Sequence, residues 1–552
     1  MRRRLGLLLA LGVAPLFGMG AIGLVDYDEA AYGEVARVML ASGNWLAPSL
    51  CGSPFFEKPP LLYWTAAAGM KLLGVGAAGV RLGTVLAGAL APIALFGFAR
   101  RPLGERAAFA SALVLATSLE FAALGRLAFT DMLLAFWFVL CLGALHRALE
   151  ARDRGLGWFS LACLASALAV LTKGAIGLLF PAAVGLAELG FRRRLRDALR
   201  ADWLALGLAL GAGLGFSWYL ALGLTQPGGF AFMRSLFLEH HVGRFTRPMQ
   251  GHGGSVLYYL PVLLVGLFPW SPLLPVALAR AGLCTGDERA RFLRVFALFS
   301  ALTVVFFSIA ATKLANYVVP AFPGLALAIG ALLAQPRAER DRGLVLSLCA
   351  TLGFAAALSL ATALSPLVSA RLPALLGAAV SSHPVLSKPL ELGGGGALAG
   401  GALAVGAVLA AREWRGRRAE RAAIALACGA AAFYTILFHT VLPRVDEQVG
   451  APLRRIAARA AELSGPDEPL LLLGLRHRPS VCFYGARTTR FTSESGGRWA
   501  EAEVFGSSGT HLGISGEPQL ARFPGSDRLE VLARDGGYVL FRIPATGAAA
   551  AR

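Results

Sequence analysis

RRRLGLLLALGVAPLFGMGAIGLVDYDE, residues 2–29, is the stretch that decides the fold. Three arginines lead into an apolar run from Leu5 to Val25, and three carboxylates, Asp26, Asp28 and Glu29, follow at once. About 20 apolar residues at a helical rise of about 1.5 Å reach across a hydrocarbon core of about 30 Å. A signal peptide has the same order of parts but a shorter apolar core. The run is therefore expected to be an uncleaved first membrane helix, with its basic end cytoplasmic and its acidic end outside.

Further apolar runs begin near Leu82, Ala107, Phe129, Trp158, Ala175, Trp203, Val256, Val295, Tyr317, Leu344, Gly396 and Ala423, which with the first predicts about thirteen spans. Hydrophobic residues are 56% of the 552, Gly adds 66 more, and only 15% are charged. That excludes a disordered chain and an ordinary cytosolic enzyme. A net charge of +19 (52 basic, 33 acidic) would by itself suggest a nucleic-acid partner. The arginines instead fall in short clusters between apolar runs, at 100–106, 147–154, 192–200, 289–294, 337–342 and 412–421, in every second connection. Those connections read as cytoplasmic, and no nucleic-acid partner is expected. The alternate connections face outward: residues 26–80, the turns near Arg126, Lys173 and Lys313, residues 225–255 and 365–392, and everything after Leu442. Seven cysteines at 51, 141, 163, 284, 349, 428 and 482 include no CxxC pair, so neither a disulfide framework nor a zinc knuckle is expected.

After Leu442 the sequence turns mixed and polar. An amphipathic helix is predicted over 452–463, strands over 469–473, 481–484, 529–532 and 538–543, the last two around Asp535-Gly536-Gly537. The fold class is thus a polytopic α-helical membrane protein with a C-terminal extracytoplasmic α/β domain. Residues 1–442 form the membrane domain, its outer loop 26–80 carrying the chemistry, and residues 443–552 the soluble domain.

Carboxylates at the end of a membrane helix lie where lipid gives way to headgroups, so their desolvation can tune reactivity. A plainer role for Asp28 is to N-cap the helix that follows. Lysines sharpen the choice. There are five against 47 arginines, yet Lys58, Lys173 and Lys313 all fall on the outer side, against the positive-inside tendency. Three ammonium groups at different helix ends can form an anion pocket, for which a phosphorylated lipid is the natural occupant; the alternative is that each snorkels to headgroups. Asp131 opens a later span at the same rim, and Glu239-His240-His241 to Arg244-Phe245, with His252, add imidazoles and a guanidinium. Glu57 with His241 offers two ligands for a divalent metal.

In order along the chain, Asp28-Glu29-Ala30-Ala31-Tyr32-Gly33-Glu34, Phe56-Glu57-Lys58-Pro59-Pro60, Thr130-Asp131, Leu171-Thr172-Lys173-Gly174, His241 to Phe245, Tyr258 to Pro261, Pro269-Trp270 and Lys313-Leu314-Ala315-Asn316-Tyr317 resemble the lipid-to-lipid glycosyltransferases typified by the aminoarabinose transferase of lipid A modification, within the protein mannosyltransferase superfamily. The resemblance covers roughly residues 1–335. It implies that Asp28 is the catalytic carboxylate and Asp131 a second one beside the same cavity. It implies that Lys58, Arg244 and Tyr317 bind the donor phosphate, and that Glu57 can join His241 on a metal. Aminoarabinose transferases carry arginine three residues after the catalytic aspartate, where this chain has Ala31.

The activity so implied is transfer of a sugar from a polyprenyl (undecaprenyl) phosphate donor to lipid A or another envelope acceptor, lipid or glycan, on the periplasmic face of the inner membrane. A phosphate leaving group departs as an anion, so the site needs cations on it more than a general acid. No Walker or dinucleotide fingerprint occurs, and no nucleotide cofactor is expected. Two alternatives stand beside this: the same chemistry on a protein or surface polysaccharide, and a lipid-linked sugar flippase or secondary transporter. Transporters place their polar groups near the bilayer midplane, whereas here the charges gather at one surface.

Overall fold

The computed structural model describes residues 2–151, 155–236, 238, 243–248, 252–281, 283, 286–335, 342–364, 390–475, 477–492, 504–505 and 512–544. Among them, eight helices are long and apolar enough to cross a bilayer: Ala77–Leu103, Thr130–Glu150, Gly155–Lys173, Ala201–Thr225, Glu288–Ile309, Ala315–Leu333, Gly395–Arg415 and Ala419–Val449. The pair Val256–Gly266 and Ser271–Ala279 is apolar enough as well but bent by 116°, the shape of a broken span or a re-entrant loop. The chain is a multi-pass membrane protein, and among the described residues three of the expected apolar runs do not form single full-length helices. The first run is helical only over Arg2–Val13 and then tightens into a 3-10 turn, Ala14–Leu16, at Pro15, whose ring and missing N–H break the ladder. The run from Ala107 divides at Ser118 into Glu105–Thr117 and Leu119–Leu124, and Ile176–Phe191 is shorter than a full span.

Lipid offers no hydrophobic drive between helices, so small residues let them approach. Gly406 and Gly429 show this between the last two long helices: a Cβ on either would come within 2.6 Å of the other's Cα.

The two ends of the bundle differ as the arginine pattern predicts. At one, the basic clusters are tied to carboxylates from neighbouring connections. Arg4 bonds Glu420 at 2.7 and 2.9 Å, and the buried Glu188 holds both Arg192 and Arg294 at 2.7 Å. At the other end the first outer loop forms helix Asp28–Ser42, a short hairpin of β1 (Ser49–Leu50) and β2 (Ser53–Pro54), and helix Leu61–Leu73.

Past the membrane helices, helix Ala451–Leu463 packs on a five-stranded sheet of β3 (Leu470–Leu473), β4 (Thr489–Thr492), β5 (Leu512–Gly516), β6 (Glu530–Asp535) and β7 (Tyr538–Arg542). The order is β4-β3-β5-β7-β6, with β3 parallel to both neighbours and β7 antiparallel to β5 and β6. The strand expected over 481–484 is a helix, Pro479–Gly485. Pro479 in its first turn suits a helix start, and Val481, Cys482 and Phe483 are all buried.

The cysteine expectation also fails at one pair. Cys51 and Cys482, 431 residues apart, form a disulfide with Cα atoms 5.7 Å apart. No local spacing signals a bond that exists only once the C-terminal domain has docked on the first loop. Cys141, Cys163, Cys349 and Cys428 are free.

Candidate active site

Asp28 is not the cap of its helix. Tyr27 holds that position without a side-chain hydrogen bond, and Asp28 is the first residue inside, where the positive end of the helix dipole favours an anion. Its neighbour Glu29 anchors the loop. Arg81, 1% exposed, donates to Glu29 through Nε (2.8 Å) and a terminal nitrogen (2.6 Å). Arg81 also donates to the carbonyls of Met19, Ile22 and Gly23 at 2.7–2.9 Å, while the Glu29 carboxylate accepts from the amides of Val25 and Ala128. The irregular end of the first membrane segment is thereby wrapped around one guanidinium, and the Asp28 backbone is fixed.

The C-terminal domain holds the same loop from outside. Asp26 accepts from the amide and hydroxyl of Ser480, the Leu24 amide donates to the Tyr484 hydroxyl at 2.9 Å, and the disulfide joins Cys51 to Cys482. All three partners lie on the helix Pro479–Gly485.

Asp28 opens into a cavity of about 390 Å³ that Lys58, Asp131, Lys173, Arg244, Tyr317, Asn316 and His252 also line. An apolar crevice of about 110 Å³ adjoins it, walled by Ile176, Phe245, Phe306 and Phe307, and shares Lys58, Lys173, Arg244 and Tyr317 with it. Five separate connections thus contribute to one pocket, all of them connections that the charge pattern assigned to the same side.

Partners within the pocket divide its charges into committed and free. Asp131, 1% exposed, is committed on both oxygens: Lys173 bonds Oδ1, and Asn316 donates to Oδ2 at 2.7 Å. It serves to hold Lys173, whose ammonium lies 4.2 Å from the centre of the Tyr317 ring. Arg244 donates to the Tyr317 hydroxyl at 2.9 Å and sits 3.7 Å from the Glu57 carboxylate, and its buried Nε–H has no acceptor among the described residues. Asp28 and Lys58 make no hydrogen bond or ion pair among the described residues. Burial pushes the Lys58 ammonium down to about 8, with Arg244 and Lys173 adding to the effect against Glu57 and Asp28. Burial raises the Asp28 carboxyl, opposed by Lys58 and Arg244.

Lys313 does not join the pocket. Its ammonium is spent on the carbonyls of Phe307, Ser308 and Ala310 at the end of helix Glu288–Ile309, where a cation satisfies orphan acceptors. Of the expected metal pair, Glu57 faces a guanidinium and His241 lies outside the described residues, so no step is routed through a metal.

Residues 57–219 match the family described as dolichyl-phosphate-mannose-protein mannosyltransferase. An undecaprenyl phosphate-α-4-amino-4-deoxy-L-arabinose arabinosyl transferase of Pseudomonas aeruginosa is 36% identical over 334 residues, 60% of this chain and 59% of the relative. One of Edwardsiella ictaluri is 32% identical over 57% of each. The matched part thus spans about three fifths of these relatives' length. The crystal structure of ArnT from Cupriavidus metallidurans bound to undecaprenyl phosphate superposes with a TM-score of 0.81 over 98% of this chain and 97% of that one, at 24% identity. The chain is aminoarabinose-transferase-like in sequence and in fold. Within that aminoarabinose-transferase-like frame, the residues that sequence reasoning missed are those that act on other residues: Arg81, Asn316 and Ser480. Asn316 was visible as the polar member of Leu314-Ala315-Asn316-Tyr317. Arg81 was visible as a lone arginine on the outer side, in the first turns of a membrane helix.

Proposed function

We propose that this protein is an integral-membrane glycosyltransferase that moves a sugar from a polyprenyl phosphate donor to lipid A or another envelope acceptor at the periplasmic face of the inner membrane, with the C-terminal domain in the periplasm. One observation carries the reading: Lys58 and the Nε–H of Arg244, both without a partner among the described residues, lie in a cavity that also holds Asp28 and adjoins an apolar crevice. A polyprenyl phosphate has the complementary shape, with an anion for the two cations and an isoprenoid chain for the phenylalanine-lined crevice. The relatives' use of undecaprenyl phosphate-linked aminoarabinose supports the donor class.

In the reaction the acceptor oxygen attacks the anomeric carbon, and the bond from that carbon to the phosphate oxygen breaks. The leaving phosphate takes the electron pair, and Lys58, Arg244 and Lys173 stabilise the charge that develops there. Asp28 orients the attacking group and, for a hydroxyl acceptor, takes its proton; burial raises its carboxyl toward a basicity that suits this task. Inversion at the anomeric carbon follows from a single displacement.

Transfer of radiolabelled sugar from a polyprenyl phosphate by the purified protein tests the reading against a transporter. Asp28→Asn is expected to lower turnover by about 100-fold or more while undecaprenyl phosphate still binds. Full activity in that variant removes Asp28 from the mechanism.

A further inference from the structure

We propose that Asn316 reads the sugar, making it a specificity-determining residue; this rests on the glycosyltransferase reading above. A carboxamide presents donors on nitrogen and an acceptor on oxygen, and which is which follows from its partners. Here the partner is Asp131, a carboxylate 1% exposed that can only accept when ionised, so Nδ2 must face it, at 2.7 Å. Lys173 donates to the other Asp131 oxygen, so both carboxylate oxygens act as acceptors and the amide is held one way round. Turning Asn316 over would set two oxygens against each other. The Asn316 Oδ1 is left as an acceptor on the cavity wall, with no hydrogen bond among the described residues.

Its place along the chain gives this acceptor a target. Tyr317, the next residue on the 3-10 turn Ala315–Ala321, accepts from Arg244 and lies beneath the Lys173 ammonium. Tyr317, which both Arg244 and Lys173 touch, is thus the chain neighbour of Asn316, and all four residues line the same cavity. In the donor a single oxygen separates phosphorus from the anomeric carbon, so a phosphate held by Arg244 brings the sugar ring beside Asn316. A fixed neutral acceptor selects an O–H or N–H on the ring and disfavours a sugar that lacks it, because the carboxamide oxygen is then desolvated without a partner.

The test uses the full-length protein in detergent with short-chain polyprenyl phosphates bearing aminoarabinose, glucose or mannose, and deoxy analogues of each lacking one hydroxyl. The wild type is expected to prefer a parent sugar over one of its deoxy analogues by at least tenfold in kcat/KM. Asn316→Leu and Asn316→Thr are expected to reduce that ratio to within about threefold, through the parent donor alone, while both variants still bind undecaprenyl phosphate. If both variants bind undecaprenyl phosphate and keep the wild-type ratio, the inference is overturned. Loss of undecaprenyl phosphate binding in both overturns it too, because Asn316 would then be part of the mount for the phosphate site. No transfer by the wild type from any donor would instead overturn the glycosyltransferase reading.

Discussion

Replacing Glu29 by Gln tests the mount on which the site is built. Glu29 and Arg81 are 0% and 1% exposed, and the carboxylate takes two bonds from the guanidinium and two from backbone amides. The neutral amide keeps one acceptor oxygen but leaves a buried guanidinium without a countercharge, with neutral acceptors only, among them the carbonyls of Met19, Ile22 and Gly23. Breaking one half of a buried pair costs about 3–5 kcal/mol, because the remaining charge is uncompensated. The three carbonyls offset part of that, so a loss of about 3 kcal/mol is expected for Glu29→Gln and at least as much for Arg81→Met. Equilibrium unfolding in mixed detergent reads both, and the double variant Glu29→Gln/Arg81→Met is expected to lose clearly less than the sum of the singles, since no charge is then stranded. Transfer should fall in parallel, because the next residue, Asp28, loses its fixed backbone. A Glu29→Gln protein within about 1 kcal/mol of wild type, with additive singles, would refute the argument that this pair carries the loop.

The Lys58 ammonium is held down to about 8, so undecaprenyl phosphate affinity should be flat below that pH and weaken above it, by up to about tenfold per unit where binding takes up one proton. Isothermal titration from pH 6.5 to 9.5 reads this, and a Lys58→Arg protein should lose the dependence. Asp131→Asn should weaken undecaprenyl phosphate binding by freeing Lys173 from its partner, whereas Lys313→Gln should leave that binding within twofold, both measured by the same titration. Cys51→Ser/Cys482→Ser should raise proteolytic cleavage of the first outer loop and lower turnover without abolishing it, since the Asp26 and Leu24 bonds to Ser480 and Tyr484 remain. Chelation with EDTA followed by activity with and without added divalent ions tests the Glu57 and His241 metal pair, and unchanged turnover would dismiss it.

Local pattern made the membrane fold legible, because lipid forces long apolar helices and the arginines mark one face without tertiary knowledge. Lys58, Lys173, Arg244, Tyr317 and Asp28 were legible as charge or motif, and they do share a cavity. Lys313 misled because an ammonium at a helix end looks the same whether it waits for an anion or caps its own carbonyls. Asp131 could be placed at the rim but not given its partners, since Lys173 and Asn316 lie 42 and 185 residues away. The first span was overestimated because hydropathy does not see Pro15 end the helix. The 481–484 stretch was misread as a strand because a buried apolar run has no period to distinguish the two.

The helix Pro479–Gly485 carries a consequence for biosynthesis. Ribosomes make the first outer loop hundreds of residues before Ser480, Cys482 and Tyr484, so the segment bearing Asp28 emerges long before the residues that brace it exist. A nascent chain halted among its membrane helices therefore has the reacting groups without their final alignment. Competence would come late, when the helix bearing Ser480, Cys482 and Tyr484 meets the loop that bears Asp28.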